Sequence, residues 1–160
     1  MAYWLFKTEP DTFSIETLRV QKRSCWEGVR NYQARNMMRD EIQLGDEVLI
    51  YHSSCQHIGV AGIAKIVKTA YPDHFAFDPE SEYYDAKSTP EDPRWVMVDL
   101  VFVRKTGRII PLSAMKAMPE LNNMPLVKRG NRLSIMPVTA QEWDAILSLK
   151  PDIHLISLRP

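Results

Sequence analysis

"GDEVLIYHSSCQHIGVAGIAKIVKTAY", Gly45 to Tyr71, decides how this chain folds. Gly45 and Asp46 make a turn, and an alternating run follows. In an extended strand successive side chains point to opposite faces. Val48 and Ile50 therefore share one face, Leu49 and Tyr51 the other. A second strand begins near Ile58, with Ile58, Val60, Ala64 and Ile66 in alternate register. Gly59 and Gly62 interrupt it, which predicts a bulge or the tight corner of a barrel.

Working outward, "YWLFKTE" is short, aromatic and bounded by Pro10, as a strand should be. "SIETLRVQ" reads as a short helix with Ser14 as N-cap. Asn31 caps a helix running to about Asp40, with Ala34, Met37 and Met38 on one face and Arg35 and Arg39 on another. "WVMVDLVFVRK" is the longest strand, "RII" a short one, and "LSAMKAM" a short helix. "RLSIMPV" is a last strand, stopped by Pro137. "TAQEWDAILSL" is a helix whose Thr139 and Glu142 have capping-box spacing. Several short strands with few helices predict an α+β fold, a small mixed barrel plugged by helices. The 160 residues suit a single domain over 1–150 with a tail over 151–160.

The 20 basic and 20 acidic residues cancel, which argues against holding nucleic acid by bulk attraction alone. Seven of the acids lie between Asp73 and Asp92 with one base, Lys87, leaving 19 bases against 13 acids elsewhere. A basic face forms if this long, proline-rich segment loops away from it. Cys25 and Cys55 make neither a CxxC nor a disulfide framework. The N-terminus lacks the basic start and cleavage site of a signal peptide. No apolar run approaches the roughly 20 residues of a membrane span. A cytoplasmic protein is expected.

The densest chemistry is "WEGVRNYQARN", Trp26 to Asn36. Taken singly, Trp26 is a core residue and Asn31 an N-cap. Together they supply an aromatic wall, an amide with donors and an acceptor, and Arg30, Arg35 and Arg39 within reach of phosphates. These are the parts of a pocket for a flat polar ring. Arg129 and Arg132, in the basic turn "VKRGNRLS", form a second phosphate clamp. His52, Cys55 and His57, with Cys25, have no standard zinc spacing, so no metal or other cofactor is expected. Cys25 or Ser53 beside a His has no hydrolase signature around it. Asp46 and Glu47 point to opposite faces and make a poor carboxylate pair. Asp99, inside an apolar strand, belongs to an exposed face or a buried ion pair.

Seven blocks in order carry a family resemblance: "YWLFKTEP", "WEGVRNYQARNMMR", "GDEVLIYHSS", "IGVAGIAKIV", "YYDAKS", "WVMVDLVF" and "RLSIMPVTAQEW". The chain resembles the EVE domain, a member of the PUA-like superfamily related to YTH readers of methylated adenine. The resemblance runs from Tyr3 to about Leu147. It implies a PUA-like curved or closed β-barrel with helices around it. It also implies recognition of a modified base, methylated cytosine or N6-methyladenine among them, in an aromatic-walled pocket. By analogy with the YTH relatives, Lys7 and Thr8 fall at the pocket, Trp26 resembles the cage tryptophan, and Tyr51, His52 and Ser53 border it. Asn31 reads the base edge. Tyr83, Tyr84 and Trp95 compete for a second cage aromatic, with Tyr84 and Trp95 placed in the pocket.

The implied protein is not an enzyme. It is a monomeric binding module for DNA or RNA carrying a modified base, with effector proteins as further partners and no membrane. Two alternatives stand beside it. One is a small ASCH-type ribonuclease using Lys7, Thr8, Tyr51 and His52. The other is a binder of a free nucleobase or similar heterocycle.

Overall fold

The computed structural model describes residues 2–149, so the expected tail over 151–160 lies outside the described residues. The elements are β1 (Tyr3–Thr8), α1 (Ile15–Gln21), β2 (Arg23–Trp26), α2 (Tyr32–Asp40), β3 (Glu47–His52), β4 (Gly59–Pro72), β5 (Val96–Pro111), α3 (Leu112–Lys116), β6 (Ile135–Val138) and α4 (Ala140–Ser148). Short 3₁₀ turns lie at His74–Phe77, Pro119–Leu121 and Pro125–Val127.

All six strands join one mixed sheet in the order β2-β5-β4-β3-β1-β6. β1 runs parallel to β3, and the other neighbours are antiparallel. The fold is α+β, as expected. The order is linear, with β2 and β6 at its two edges and no pairing between them among the described strands. The expected closure into a barrel is therefore not found in the strand pairing.

The alternation along β3 sorts its side chains into two cores. Val48 and Ile50 join Trp4, Phe6, Leu18, Trp26 and Met38 on one face of the sheet. Leu49 and Tyr51 join Leu5, Met115, Met136, Trp143 and Ile146 on the other. Both faces are covered, so β3 is buried along nearly its whole length. Each large apolar side chain buried this way contributes about 1.5–3 kcal/mol.

The register along β4 shifts at several places, and the first of them exchanges the faces. Ile50 pairs with Gly62 but Tyr51 with Val60, so Ala61 is an extra residue in a bulge. Beyond it the faces exchange: Val60 lies in the second core, Ala64 and Ile66 in the first. A side chain on Gly62 would meet Ile15 Cδ1 at 2.5 Å, so α1 packs straight onto the bulged backbone.

The helices start where their caps stand. Ser14 and Thr17 exchange bonds in a capping box, Asn31 Oδ1 accepts the Ala34 N–H at 3.0 Å, and Thr139 and Glu142 form the expected box. Ala34, Met37 and Met38 are buried. Three expectations need correction. "WVMVDLVFVRK" and "RII" are one continuous strand, β5. β2 was unexpected; its "RSCW" becomes a strand by pairing with β5. Pro137 does not stop β6 but lies inside it, where an edge strand tolerates a missing N–H.

Candidate functional site

β1 and β3 end side by side, and their ends form one wall of a cavity of about 370 Å³. Hydrogen bonds fix that wall from both sides. Ser53 N–H donates to Thr8 O at 2.9 Å, and Lys7 N–H donates to Ser134 O at 2.8 Å. The Thr8 hydroxyl donates to Phe13 O at 2.8 Å, folding the following turn over the strand end. Lys7, Thr8, Phe13 and Ser53 all line the cavity.

Trp26, the last residue of β2, forms the opposite wall. It belongs to the core, with Phe6 at 5.2 Å and Phe13 at 5.6 Å, the latter nearly perpendicular. It also lines the cavity, so core packing does not remove it from the expected pocket. Tyr83 comes from the acidic segment and also lines the cavity. Its ring lies against Gly28, where a Cβ would approach Tyr83 Cζ to 2.6 Å and where φ is +84°. Both facts require glycine there. The space beside Gly28 is filled by the protein's own tyrosine.

A strap holds this arrangement. Asp73, fully buried, accepts from Gly28 N–H at 2.9 Å, Phe75 N–H at 3.0 Å and Arg30 Nη1 at 3.0 Å. Arg30 Nη2 donates to Tyr83 O at 2.7 Å. The acidic segment was expected to stand off; instead it supplies a wall and its anchor.

The remaining expected site residues lie elsewhere. Asn31 caps α2 and does not line the cavity. Tyr51 is buried in the second core. His52 is buried and does not line the cavity; its Nε2 accepts the Ile15 N–H at 3.1 Å. Tyr84 is exposed. Trp95 is buried, stacks on Tyr32 at 4.8 Å and donates through Nε1 to Asp85 at 2.7 Å. Of the five arginines, Arg132 alone lines the cavity. Arg30 is committed to Asp73 and Tyr83, Arg39 pairs with Asp40 at 2.8 Å, and Arg35 donates to Arg94 O at 2.6 Å. Arg129 is exposed. Phe13, Cys25, Glu27 and Ser134 line the cavity without having been expected; no local pattern marks them.

Burial pushes the Cys25 thiol up to about 12, and the neighbouring Glu27 carboxylate, 3.3 Å from Sγ, adds to the effect. The thiol stays protonated at neutral pH and makes a poor nucleophile. Burial likewise raises Tyr51 to about 12 and raises Tyr83. It lowers the Lys7 ammonium and the His52 imidazole. Among the described residues no three His, Cys, Asp or Glu side chains gather as a metal-binding group. Asp99 sits in an ion pair with Arg23 at 2.9 Å and accepts from the Tyr71 hydroxyl. The cavity thus offers aromatic side chains, neutral hydrogen-bonding groups, two cations, Lys7 and Arg132, and two carboxylates, Glu9 and Glu27.

Comparison with known proteins shows the family and the fold. The human protein named thymocyte nuclear protein 1 is 45% identical, over 93% of this chain and 74% of its own length. A structure from Pseudomonas syringae matches with a TM-score of 0.91 at 52% identity, covering 93% of this chain and 99% of the other. The human THYN1 protein in complex with 5-methylcytosine-containing DNA matches with a TM-score of 0.89 at 44% identity, covering 95% and 99%. A YTH domain of Zygosaccharomyces rouxii, in complex with N6-methyladenosine RNA, shares the fold at a TM-score of 0.54 and 11% identity, covering 93% and 86%. The cytoplasmic expectation is overturned by the curated relatives, whose name is that of a nuclear protein. The EVE domain model matches residues 2–149, and the chain belongs to the EVE domain family.

Proposed function

We propose that this protein is a non-enzymatic reader of a modified base in nucleic acid, taking one unpaired base into the cavity between Trp26 and the β1–β3 strand ends. The observation that carries the reading is the cavity itself, lined by Trp26 and Tyr83 and of a size suited to a small flat ligand. The 5-methylcytosine DNA bound by the human relative supports a methylated pyrimidine as the base. Trp26 and Tyr83 supply apolar area for the ring and its methyl. Lys7 and Arg132 face the phosphates on either side. A buried methyl contributes about 0.8 kcal/mol, so burial alone favours the methylated base by roughly fourfold. Shape selection raises this to about five- to fiftyfold.

Titration of matched methylated and unmodified single strands tests the reading. Tyr83→Ala should weaken binding of the methylated strand by about tenfold or more. Equal affinity for both strands, unchanged in Tyr83→Ala, removes the modified-base reading.

A free nucleobase or other small heterocycle is the second reading. It is favoured by the zero net charge and by the internal partners of Arg30 and Arg39. Salt separates the two. With about three phosphates engaged, log affinity falls against log salt with a slope near −2. A zero slope selects the free ligand. The ribonuclease alternative is disfavoured, since Tyr51 and His52, two of its four groups, do not line the cavity.

A further inference from the structure

A second aromatic and cationic cluster begins where the cavity ends. Tyr83, on the cavity wall, has the Arg30 guanidinium 5.6 Å from its ring centre. The same guanidinium lies 5.4 Å from the Trp95 ring. Trp95 is stacked on Tyr32, centroids 4.8 Å apart with 29° between the planes. Arg35 lies 4.9 Å from the Tyr32 ring and 5.9 Å from Trp95. Arg94 Nη1 reaches the Tyr32 hydroxyl at 3.4 Å. Three steps, none longer than 5.6 Å, lead from the cavity to Tyr32.

The members differ in exposure. Trp95 is buried at 5%, while Tyr32 is 51% exposed, among the most open aromatic rings described. Its base is fixed by the stack below and by its place as the first residue of α2. Arg35 and Arg94 flank it, and neither has a carboxylate partner within salt-bridge distance among the described residues. Asp85 is the acid nearest the stack, and its Oδ2 is taken by Trp95 Nε1. An exposed ring stacked on Trp95, with one guanidinium over it and another at its hydroxyl, matches a nucleotide: the open part of the ring takes a base and the cations take phosphate. Asp85 and Asp40 lie near enough to Arg94 and Arg35 to feel their charge, yet neither closes an ion pair with them, and Tyr32 stays open above the stack.

We infer that Tyr32, with Arg35 and Arg94, is a second nucleotide subsite, which stacks a base neighbouring the one held in the cavity and holds its phosphate. This rests on the proposed reading of the cavity and adds a footprint along the strand. It makes the protein bind a segment of single strand rather than one base. A free nucleoside fills only the cavity. A strand of several nucleotides occupies both subsites.

Two ligands separate the subsites: free 5-methyl-2′-deoxycytidine, and a short single-stranded DNA carrying one 5-methylcytosine with flanking nucleotides on both sides. Each is titrated against the wild-type chain, Tyr32→Ala, Tyr32→Phe and the double variant Arg35→Gln/Arg94→Gln. Tyr32→Ala should weaken the oligonucleotide by about tenfold and leave the nucleoside unchanged. Tyr32→Phe keeps the stacking ring and should restore oligonucleotide affinity. The double variant should flatten the salt dependence of oligonucleotide binding only. Oligonucleotide affinity unaltered in Tyr32→Ala, or lost in equal measure for both ligands, overturns the subsite while leaving the cavity reading intact. Absence of binding to both ligands by the wild-type chain overturns the cavity reading, and the subsite with it.

Discussion

Trp26 and Trp143 are almost equally hidden, at 8% and 6% exposure, yet they stand in different surroundings. Trp143 lies in the core on one face of the sheet, with Tyr3 stacked on it at 4.5 Å. Trp26 lies in the core on the other face, and its neighbours Phe6 and Phe13 leave one edge on the 370 Å³ cavity. Exposure does not separate a tryptophan sealed in the core from one proposed to meet a ligand. What lies across the remaining edge does: a close-packed ring for Trp143, open space for Trp26. The same rule separates Trp95, covered by Tyr32, from Tyr32 itself.

The largest expected effect breaks the pair apart. Trp143→Ala and Trp26→Ala should each destabilise the fold by about 3–5 kcal/mol, since each removes a buried indole. That is a large part of the roughly 5–15 kcal/mol by which a domain is stable. Among folded molecules, Trp143→Ala should bind base normally, whereas Trp26→Ala should lose a further 1–3 kcal/mol, roughly, of base stacking. Urea denaturation followed by ligand titration under stabilising conditions separates the two losses. Trp26→Phe should recover part of the binding. Equal loss of base affinity in both alanine variants would mean that the faces of the sheet are not functionally distinct.

What could be read from the sequence follows the range of the forces involved. The alternation of Val48, Leu49, Ile50 and Tyr51 is local, and it predicts both cores. The caps Ser14, Asn31 and Thr139 act within three residues, and all three are found. β2 could not be read, because Arg23-Ser-Cys-Trp26 has no strand character apart from its pairing with β5. The bulge at Ala61 was signalled by its flanking glycines, but its exchange of faces depends on where β3 stops matching. At the site, Lys7, Thr8, Trp26 and Ser53 lie on strands or at their ends, and the structure brings them together. Tyr83 and Tyr84 are neighbours in an irregular segment with no period to choose between them. Arg30 has the same side chain whether it meets a phosphate or Asp73. That choice is made by residues more than forty positions away.

Glycine substitutions sharpen the comparison at intermediate size. Gly28 and Gly45 have nearly the same positive φ, +84° and +86°. A Cβ on Gly45 meets nothing within 4 Å, while one on Gly28 enters the Tyr83 ring. Both Ala variants should lose about 1–2 kcal/mol to the left-handed backbone. Gly28→Ala should in addition displace Tyr83 and weaken base binding, an effect absent from Gly45→Ala. Thermal melts and titrations of the pair measure each part. Loss of base affinity in Gly45→Ala as well would show that binding follows general stability rather than the position of Tyr83.

The smallest effect expected is set by pH and again distinguishes a residue outside the cavity from those in it. His52 Nε2 accepts the Ile15 N–H, so the folded state requires that nitrogen unprotonated. Burial lowers the His52 pKa below the ordinary 6.5. The unfolded chain therefore binds a proton more readily than the folded one in the window just below 6.5. Stability is fully present above that value and declines as the pH falls towards the lowered folded pKa. The melting temperature should drop modestly between pH 7 and pH 5, in steps that His52→Gln reduces. At neutral pH the affinity of the cavity should not depend on this residue, because it touches Ile15 rather than the ligand space. A melting temperature equally pH-dependent in wild type and His52→Gln would assign the acid sensitivity to another group. A pH-dependent base affinity that vanishes in His52→Gln would move His52 from the supporting layer into the site.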